Sequence, residues 1–543
     1  MGKKTVFTNG RFFVSDAHKG DDSNFQNAMI IQDDLITFVG DEKDDRFQSV
    51  MNEGANIIDL GNKVVIPSFI DSHTHLLFFG LSLKKLDLSE SRSLEAIRDT
   101  ISRYAKQYPE RPKILCRGWH QPSTDGKALA SMIDDLDPRP IFIEALDLHS
   151  TWCNTAALAE LPVEDIKAAC GHHISTDEDG KATGLLAESA QTGYVWPHLV
   201  NSCSVEEKID ALDAAFNAYI SAGYTGAIDM AMDTSAWEAL KAYRSTNEIP
   251  IHIAAHWFIS YNSNTDTVLQ QVEEAIAVHT EWHPSRSPDF CVVGIKMICD
   301  GVVDGCTAAL SHPYGEQSDV IQPEWPRDAM EIVAKRASEA GLQIAIHAIG
   351  DFAITQAVDV LASTANPHAR HRIEHLELAT KEDAQRLGQL GITASIQPVH
   401  SDPVLVKAYP KLIGSHAWER GFPYKAFADG HACIAIGTDA PTAKHLPLPN
   451  LYNATTRKSA LEPDLEVETN VHNALTLSQS VTAATSGAAY SRFAEAWTGS
   501  LKEGLRADFL VLETKWTPET LLEAEVKQTW SRGRKIWAVG AGK

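Results

Sequence analysis

The 543-residue sequence contains no stretch of about 18 consecutive apolar residues, the length a helix needs to cross a bilayer, so a membrane-spanning protein is not expected. It has no CxxC pair either. Its eight cysteines are scattered at 116, 153, 170, 203, 291, 299, 306 and 433, which argues against a disulfide framework and suits reduced thiols in a cytoplasm. Positive charge is scarce, with 48 Lys and Arg against 72 Asp and Glu. The net charge of −24 should repel phosphate backbones and anionic lipid surfaces, so neither a nucleic-acid nor a membrane partner is expected. Lys3 and Lys4 are not followed by an apolar run of signal-peptide length, and export is not indicated. What remains, 44% hydrophobic and 22% charged residues, is the composition of a globular enzyme.

At this length more than one structural unit is expected, because a single hydrophobic core stops growing well before 543 residues. Short apolar runs separated by turn residues fill both ends of the chain and read as strands of a small sheet domain. We therefore expect a composite β-sandwich from 1–66 plus 490–543. Between the ends, strand-like runs at 64–70, 141–145, 225–230, 251–255, 292–298, 343–346, 393–396 and 433–436 alternate with helical periodicity such as 205–222 and 327–340. That alternation favours an α/β fold, and a (β/α)8 TIM barrel over 67–489 is the best match. About 82–195 interrupts the spacing and reads as an inserted subdomain over the barrel mouth.

Ligand-type residues stand where those strands end. The run from Val64 closes on Ser72-His73-Thr74-His75, and residues two apart on a strand share a face, so both imidazoles can reach one ion at the carboxyl end where barrel sites lie. Gln343-Ile344-Ala345-Ile346 is followed by His347, Arg372-Ile373-Glu374 by His375, and Ile434-Ala435-Ile436-Gly437-Thr438 by Asp439. Imidazole and carboxylate suit zinc and its neighbours. Lys296, inside the apolar strand 292–298, is the odd residue, since a buried unpaired ammonium is costly; the alternative is a side chain reaching out to the barrel rim.

This ordered set resembles the amidohydrolase superfamily, in particular its family-3, YtcJ-like branch, which includes N-substituted formamide deformylases. Further similarity lies in 147–154, in Thr183-Gly184-Leu185-Leu186-Ala187-Glu188, in Asp300-Gly301 and in Thr498-Gly499-Ser500 near the end, so the likeness spans nearly the whole chain. The resemblance implies two divalent metal ions, zinc by default with manganese, cobalt or iron as alternatives. It places His73, His75 and Asp439 around one ion and His347 and His375 around the other, with carboxylated Lys296 as the bridge. Burial favours the neutral amine to which CO2 adds, which gives the carboxylation a physical reason. Asp439 would serve as general base and then general acid in hydrolysis of an amide, N-acyl or N-formyl C–N bond.

Trp119 and His149 are candidates for contacting a small amide-type substrate from the inserted segment. Arg372 could meet a substrate oxyanion or pair with Glu374 or Glu377. A cyclic-amide hydrolase or deaminase of the same superfamily, and a regulatory protein that keeps the fold without turnover, are the competing readings. For an enzyme of this size a homodimer is the expected assembly.

Overall fold

Pro67 has no amide proton to give to a sheet, and the apolar run 64–70 divides there instead of forming one strand. A computed structural model, which describes residues 4–14, 25–146, 150–315 and 317–540, assigns Val64–Pro67 to one sheet and Phe69–Thr74 to another. At the handover the Ser68 amide donates to Asp508 O and the Phe69 amide to Gly223 O, each at 3.1 Å.

Phe69–Thr74 (β1) begins an eight-stranded sheet continued by Tyr224–Met232 (β2), His252–Phe258 (β3), Phe290–Ile298 (β4), Gln343–Ala348 (β5), Arg372–His375 (β6), Thr393–Ile396 (β7) and Ile434–Ile436 (β8). Every adjacent pair is parallel and the strands follow chain order. Strands covered on both faces need apolar residues at every position, and β4 is buried from Phe290 to Met297. The circle closes through a parallel bridge between Thr74 and Ala440, with the Asp439 amide 2.7 Å from His73 O and the His75 amide 2.9 Å from Ala440 O. Closure demands a glycine at 437, where an added Cβ would lie 2.4 Å from the His73 backbone nitrogen.

Helices return the chain between strands, among them Thr265–Glu281, Arg327–Glu339, Asp351–Ser363 and Lys381–Leu390. The last shows how their ends are set. The Thr380 side chain caps it by accepting the Asp383 amide, and Gly391, at φ 67°, ends it in the left-handed region. The fold is thus the expected (β/α)8 barrel.

Both ends of the chain build a small β-sandwich. Lys4–Thr8, Ala28–Gln32, Leu35–Gly40 and Asn56–Asp59 form a four-stranded sheet; Val64–Pro67 pairs antiparallel with Phe509–Glu513 in a six-stranded one. Between the sheets Phe7 meets Phe509 edge-on at 5.2 Å and Trp530 edge-on at 5.3 Å. Each such pair contributes about 0.5–1.5 kcal/mol beyond burial alone, so the first and last strands depend on one another.

Two compact units emerge, Met1–His75 with Phe216–Trp237 and Thr246–Lys543, and Leu76–Ala215 with Glu238–Ser245. The second has its own six-stranded sheet, running from Ile174–Thr176 to Leu86–Asp87, over a core that includes Ile97, Ile101, Ile141 and Trp152. Among the described residues, no helix is long and apolar enough to cross a membrane.

Candidate metal centre

The two-residue period of β1 brings His73 and His75 to one carboxylate. His73 Nε2 lies 3.3 Å and His75 Nε2 3.1 Å from the same oxygen, Asp439 Oδ1. Asp439 itself sits just past β8 with φ 60°, a left-handed backbone that costs a non-glycine residue roughly 1–3 kcal/mol. Surrounding hydrogen bonds hold it there. Its amide donates to His73 O, and the Thr442 amide and hydroxyl donate to its carbonyl at 2.8 and 2.6 Å. Behind it, the buried Asp71 carboxylate on β1 accepts from the Thr438 amide (2.9 Å), the Thr438 hydroxyl (2.6 Å) and the Tyr219 hydroxyl (2.9 Å). Burial pushes Asp71 up to about 6 against the pull of these donors. The result is a rigid link between the strand that carries His73 and the turn that carries Asp439.

On β6 a regular strand would send neighbouring side chains to opposite faces. His375 (φ 73°) and Leu376 (φ 57°) leave the extended region, and the change re-aims the His375 ring, which lies 5.0 Å from the His73 ring and 4.4 Å from that of His347. Glu374 also reaches the centre. Its Oε2 accepts from His73 Nδ1 at 2.7 Å, while its carboxylate is gripped by Arg372 Nε at 2.6 Å and Nη2 at 3.1 Å. Burial alone would raise the Glu374 carboxyl, but Arg372 and His73 outweigh it and hold the group well below its usual range.

His347, at the end of β5, donates from Nε2 to Gly301 O at 3.3 Å, which leaves the lone pair on Nδ1. Burial and the nearby Lys296 push its imidazole down to about 3, and burial together with His347 pushes His375 down as well. Both rings are therefore neutral at physiological pH, the form that ligates metal. Lys296 on β4 is 2% exposed, and its Nζ has no hydrogen-bond partner. Burial brings this amine down to about 8, with Glu374 and Asp439 pulling the other way. For Asp439, burial raises the carboxyl and His73 and His75 more than reverse it, so the group stays ionised.

Ligand atoms of His73, His75 and Asp439 lie within 4.8 Å of one another, and so do those of His375, His400 and Asp439. Two such groups sharing a carboxylate, beside a buried amine and a His375 Nδ1 without hydrogen-bond partners, form a donor set that fits a pair of divalent cations.

The structure thus brings together His73, His75, His347, His375 and Asp439, with Lys296 close enough to feel both carboxylates. The other expected contacts fare differently. His149 lies outside the described residues. Trp119 is a core side chain of the second unit, 1% exposed, 5.4 Å from the Trp152 ring and donating to Thr124 Oγ1 at 3.3 Å. Arg372 is fully buried and spends its donors on Glu374, Ser72 O (2.7 Å) and Ser395 Oγ (2.8 Å), so it braces the centre from within instead of presenting a cation to substrate. Sequence reading overlooked His400, which stands in the turn Pro398–Ser401 after the strand Thr393–Ile396, where the only signal was a ligand-type residue following a barrel strand. It also passed over Asp71 and treated Glu374 only as a partner for Arg372.

A family model described as the amidohydrolase family matches residues 56–536. Among curated proteins the chain is 27% identical to Protein LONG AFTER FAR-RED 3 of Arabidopsis thaliana, covering 98% of this chain and 91% of that one. It is 26% identical to the putative amidohydrolase YtcJ of Bacillus subtilis, over 97% and 98% of the two chains. The N-substituted formamide deformylase of Arthrobacter pascens is 23% identical over 90% of each. An uncharacterized metal-dependent hydrolase from Pyrococcus horikoshii has the same fold, with a TM-score of 0.76, 22% identity and coverage of 98% and 100%.

Proposed function

Because this chain belongs to the amidohydrolase family, we propose that it is a metal-dependent hydrolase that cleaves a C–N bond of amide, N-acyl or N-formyl type in a small molecule. The observation that carries the reading is the convergence of two ligand groups on Asp439 beside a buried lysine without a hydrogen-bond partner. Support for the bond type comes from the Arthrobacter relative, which is named for deformylation of N-substituted formamides.

On this reading His73, His75 and Asp439 would hold one divalent ion and His347 and His375 the other, with Lys296, once carboxylated, as a further ligand. Zinc is the default, and manganese, cobalt or iron suit the same donors. When bound, such ions would supply Lewis acidity, which makes a nucleophilic water available at neutral pH and polarises a carbonyl. Asp439, kept ionised by His73 and His75, takes the proton of the attacking water on a carboxylate oxygen and hands it to the departing nitrogen. Glu374 keeps His73 in the tautomer whose Nε2 faces Asp439, and Arg372 keeps Glu374 ionised. The acidic net charge and free cysteines agree with a cytoplasmic enzyme that acts on a small molecule without a nucleic-acid partner, and its size makes a homodimer the proposed assembly.

The test is to strip the protein with a chelator, reload it with zinc or manganese, and offer formamides, N-acyl amino acids, carbamates and cyclic amides, with products identified by mass. Hydrolysis that disappears with the metal and returns on reloading is the expected result. Two bound equivalents with no turnover across the panel would overturn the enzymatic reading, and turnover confined to cyclic amides would overturn the assignment of bond type.

A further inference from the structure

We propose that His400 is a further ligand of the second metal ion, acting with His375 and Asp439. The inference rests on the binuclear reading above and adds to it a residue after β7, a strand end from which the expected ligand set takes nothing.

Three observations on different elements support it. First, His400, His375 and Asp439 each offer a ligand atom within 4.8 Å of the others, and His400 Nε2 stands 3.8 Å from Asp439 Oδ2 while His73 and His75 occupy Oδ1. His73 and His75 thus stand against one carboxylate oxygen and His400 against the other. Secondly, the His400 ring lies parallel to that of His375, at 9° with centroids 5.7 Å apart.

Thirdly, the loop is built to hold this residue still. His400 lies in the short turn Pro398–Ser401, where its amide donates to Gln397 O at 2.9 Å. The preceding Val399 amide donates to Asn450 Oδ1 at 2.8 Å, and Asn450 Nδ2 donates to Gly437 O at 2.8 Å, two residues before Asp439. One asparagine thus fixes the spacing between His400 and the carboxylate it faces. Beyond the turn, the buried Asp402 carboxylate accepts from Ser459 Oγ (2.7 Å), the Ala460 amide (2.8 Å) and Asn453 Nδ2 (3.1 Å). This framework fixes the backbone that carries His400, as the narrow geometric tolerance of a metal site requires.

The experiment uses the full chain, freed of metal and titrated with Zn2+ and separately with Co2+. Bound metal is counted after desalting, and the visible spectrum of the cobalt form reports the ligand set. Wild type takes two equivalents. His400→Ala and His400→Asn should keep the first and bind the second at least about a hundredfold more weakly, since even loss of a residue that only supports a ligand costs 10–100-fold, and the cobalt bands should change. The His400 side chain is 19% exposed, so melting of the metal-free variants should match wild type. Should either folded variant bind two equivalents with wild-type affinity and an unchanged cobalt spectrum, the proposal is overturned, whatever happens to turnover. A wild type that binds fewer than two equivalents overturns the proposal together with the binuclear reading, and that failure is visible without any variant.

Discussion

His73 Nδ1 lies 2.7 Å from Glu374 Oε2, with side-chain exposures of 2% and 0%. A neutral histidine that donates from Nδ1 carries its lone pair on Nε2, the nitrogen that faces Asp439, so Glu374 selects the tautomer that can ligate a metal. Glu374→Gln keeps the shape and removes the charge. Metal affinity at the His73 position should fall by roughly 10–100-fold, read by competition with a fluorescent chelator. Stability should fall too, by about 3–5 kcal/mol, because Arg372 is left buried without its counter-charge. Adding Arg372→Met removes that stranded charge and should recover part of the stability without recovering the metal affinity. An unchanged dissociation constant in Glu374→Gln would show that His73 is oriented by other means.

Gly437 tests the closure of the barrel separately from the chemistry. A Cβ at this position would lie 2.4 Å from the His73 backbone nitrogen and 2.6 Å from the His73 Cβ, and backbone cannot swing aside as a flexible side chain can. Gly437→Ala should cost about 3 kcal/mol or more, at or beyond the top of the usual overpacking range, and should also weaken metal uptake because His73 and Asp439 are joined across this contact. Gly504→Ala is the control. Gly504 has positive φ and nothing within 4 Å of the added carbon, so it should lose only about 1 kcal/mol from backbone strain. Equal melting temperatures for the two variants would mean that β8 can move away from β1.

His371 predicts where acid weakens the fold. Its Nδ1 accepts the Ile344 amide at 3.0 Å, its Nε2 faces Thr364 Oγ1 at 3.2 Å, and burial pushes the imidazole down to about 4. The unfolded chain protonates this group near pH 6.5. Above that pH neither state carries the proton and the residue contributes no pH dependence. Between about 6.5 and 4 the unfolded state gains a proton that the folded state refuses, so stability falls as pH falls, by up to roughly 3 kcal/mol. His371→Asn, which can keep an acceptor for the Ile344 amide, should flatten the acid limb of melting temperature against pH in that window. An acid limb as steep as that of wild type would place the sensitivity in other buried groups.

How much of this was legible beforehand follows from which features have a period. Barrel strands repeat every two residues and end in ligands, so the pair His73 and His75 and the sites after β5, β6 and β8 could be read from spacing and apolar runs. Features without a period were invisible. The division at Pro67 looked like one apolar strand because both halves are buried, in different sheets. His375 and Glu374 both reach the centre only because the backbone turns left-handed at His375 and Leu376, residues whose types do not advertise it. His400 hides in a short turn after β7, where no alternation points inward. For Arg372 the sequence left a substrate oxyanion and pairing with Glu374 or Glu377 both open, and only the structure shows the guanidinium on Glu374.

Lys296 carries the last prediction. Its Nζ is buried without a hydrogen-bond partner, an arrangement costly for an ammonium and tolerable for an amine, and burial has already brought the group down to about 8. Only the neutral amine adds CO2; addition releases a proton and leaves a carbamate anion with two oxygens in a place lined by imidazoles. Protein loaded with zinc in 13C-labelled bicarbonate should therefore show a carbamate carbon resonance, absent from Lys296→Arg, whose guanidinium does not deprotonate. The neutral fraction shrinks as pH falls below about 8, so the label should enter more slowly at pH 6 than at pH 8. Lys296→Ala should lose the signal and bind metal weakly while the metal-free chain melts no lower than wild type, because a poorly solvated polar group has been removed. Full activity and two tightly bound ions in Lys296→Ala would leave the lysine no part in the centre, and the carboxylate of Asp439 would then have to join the ions without it.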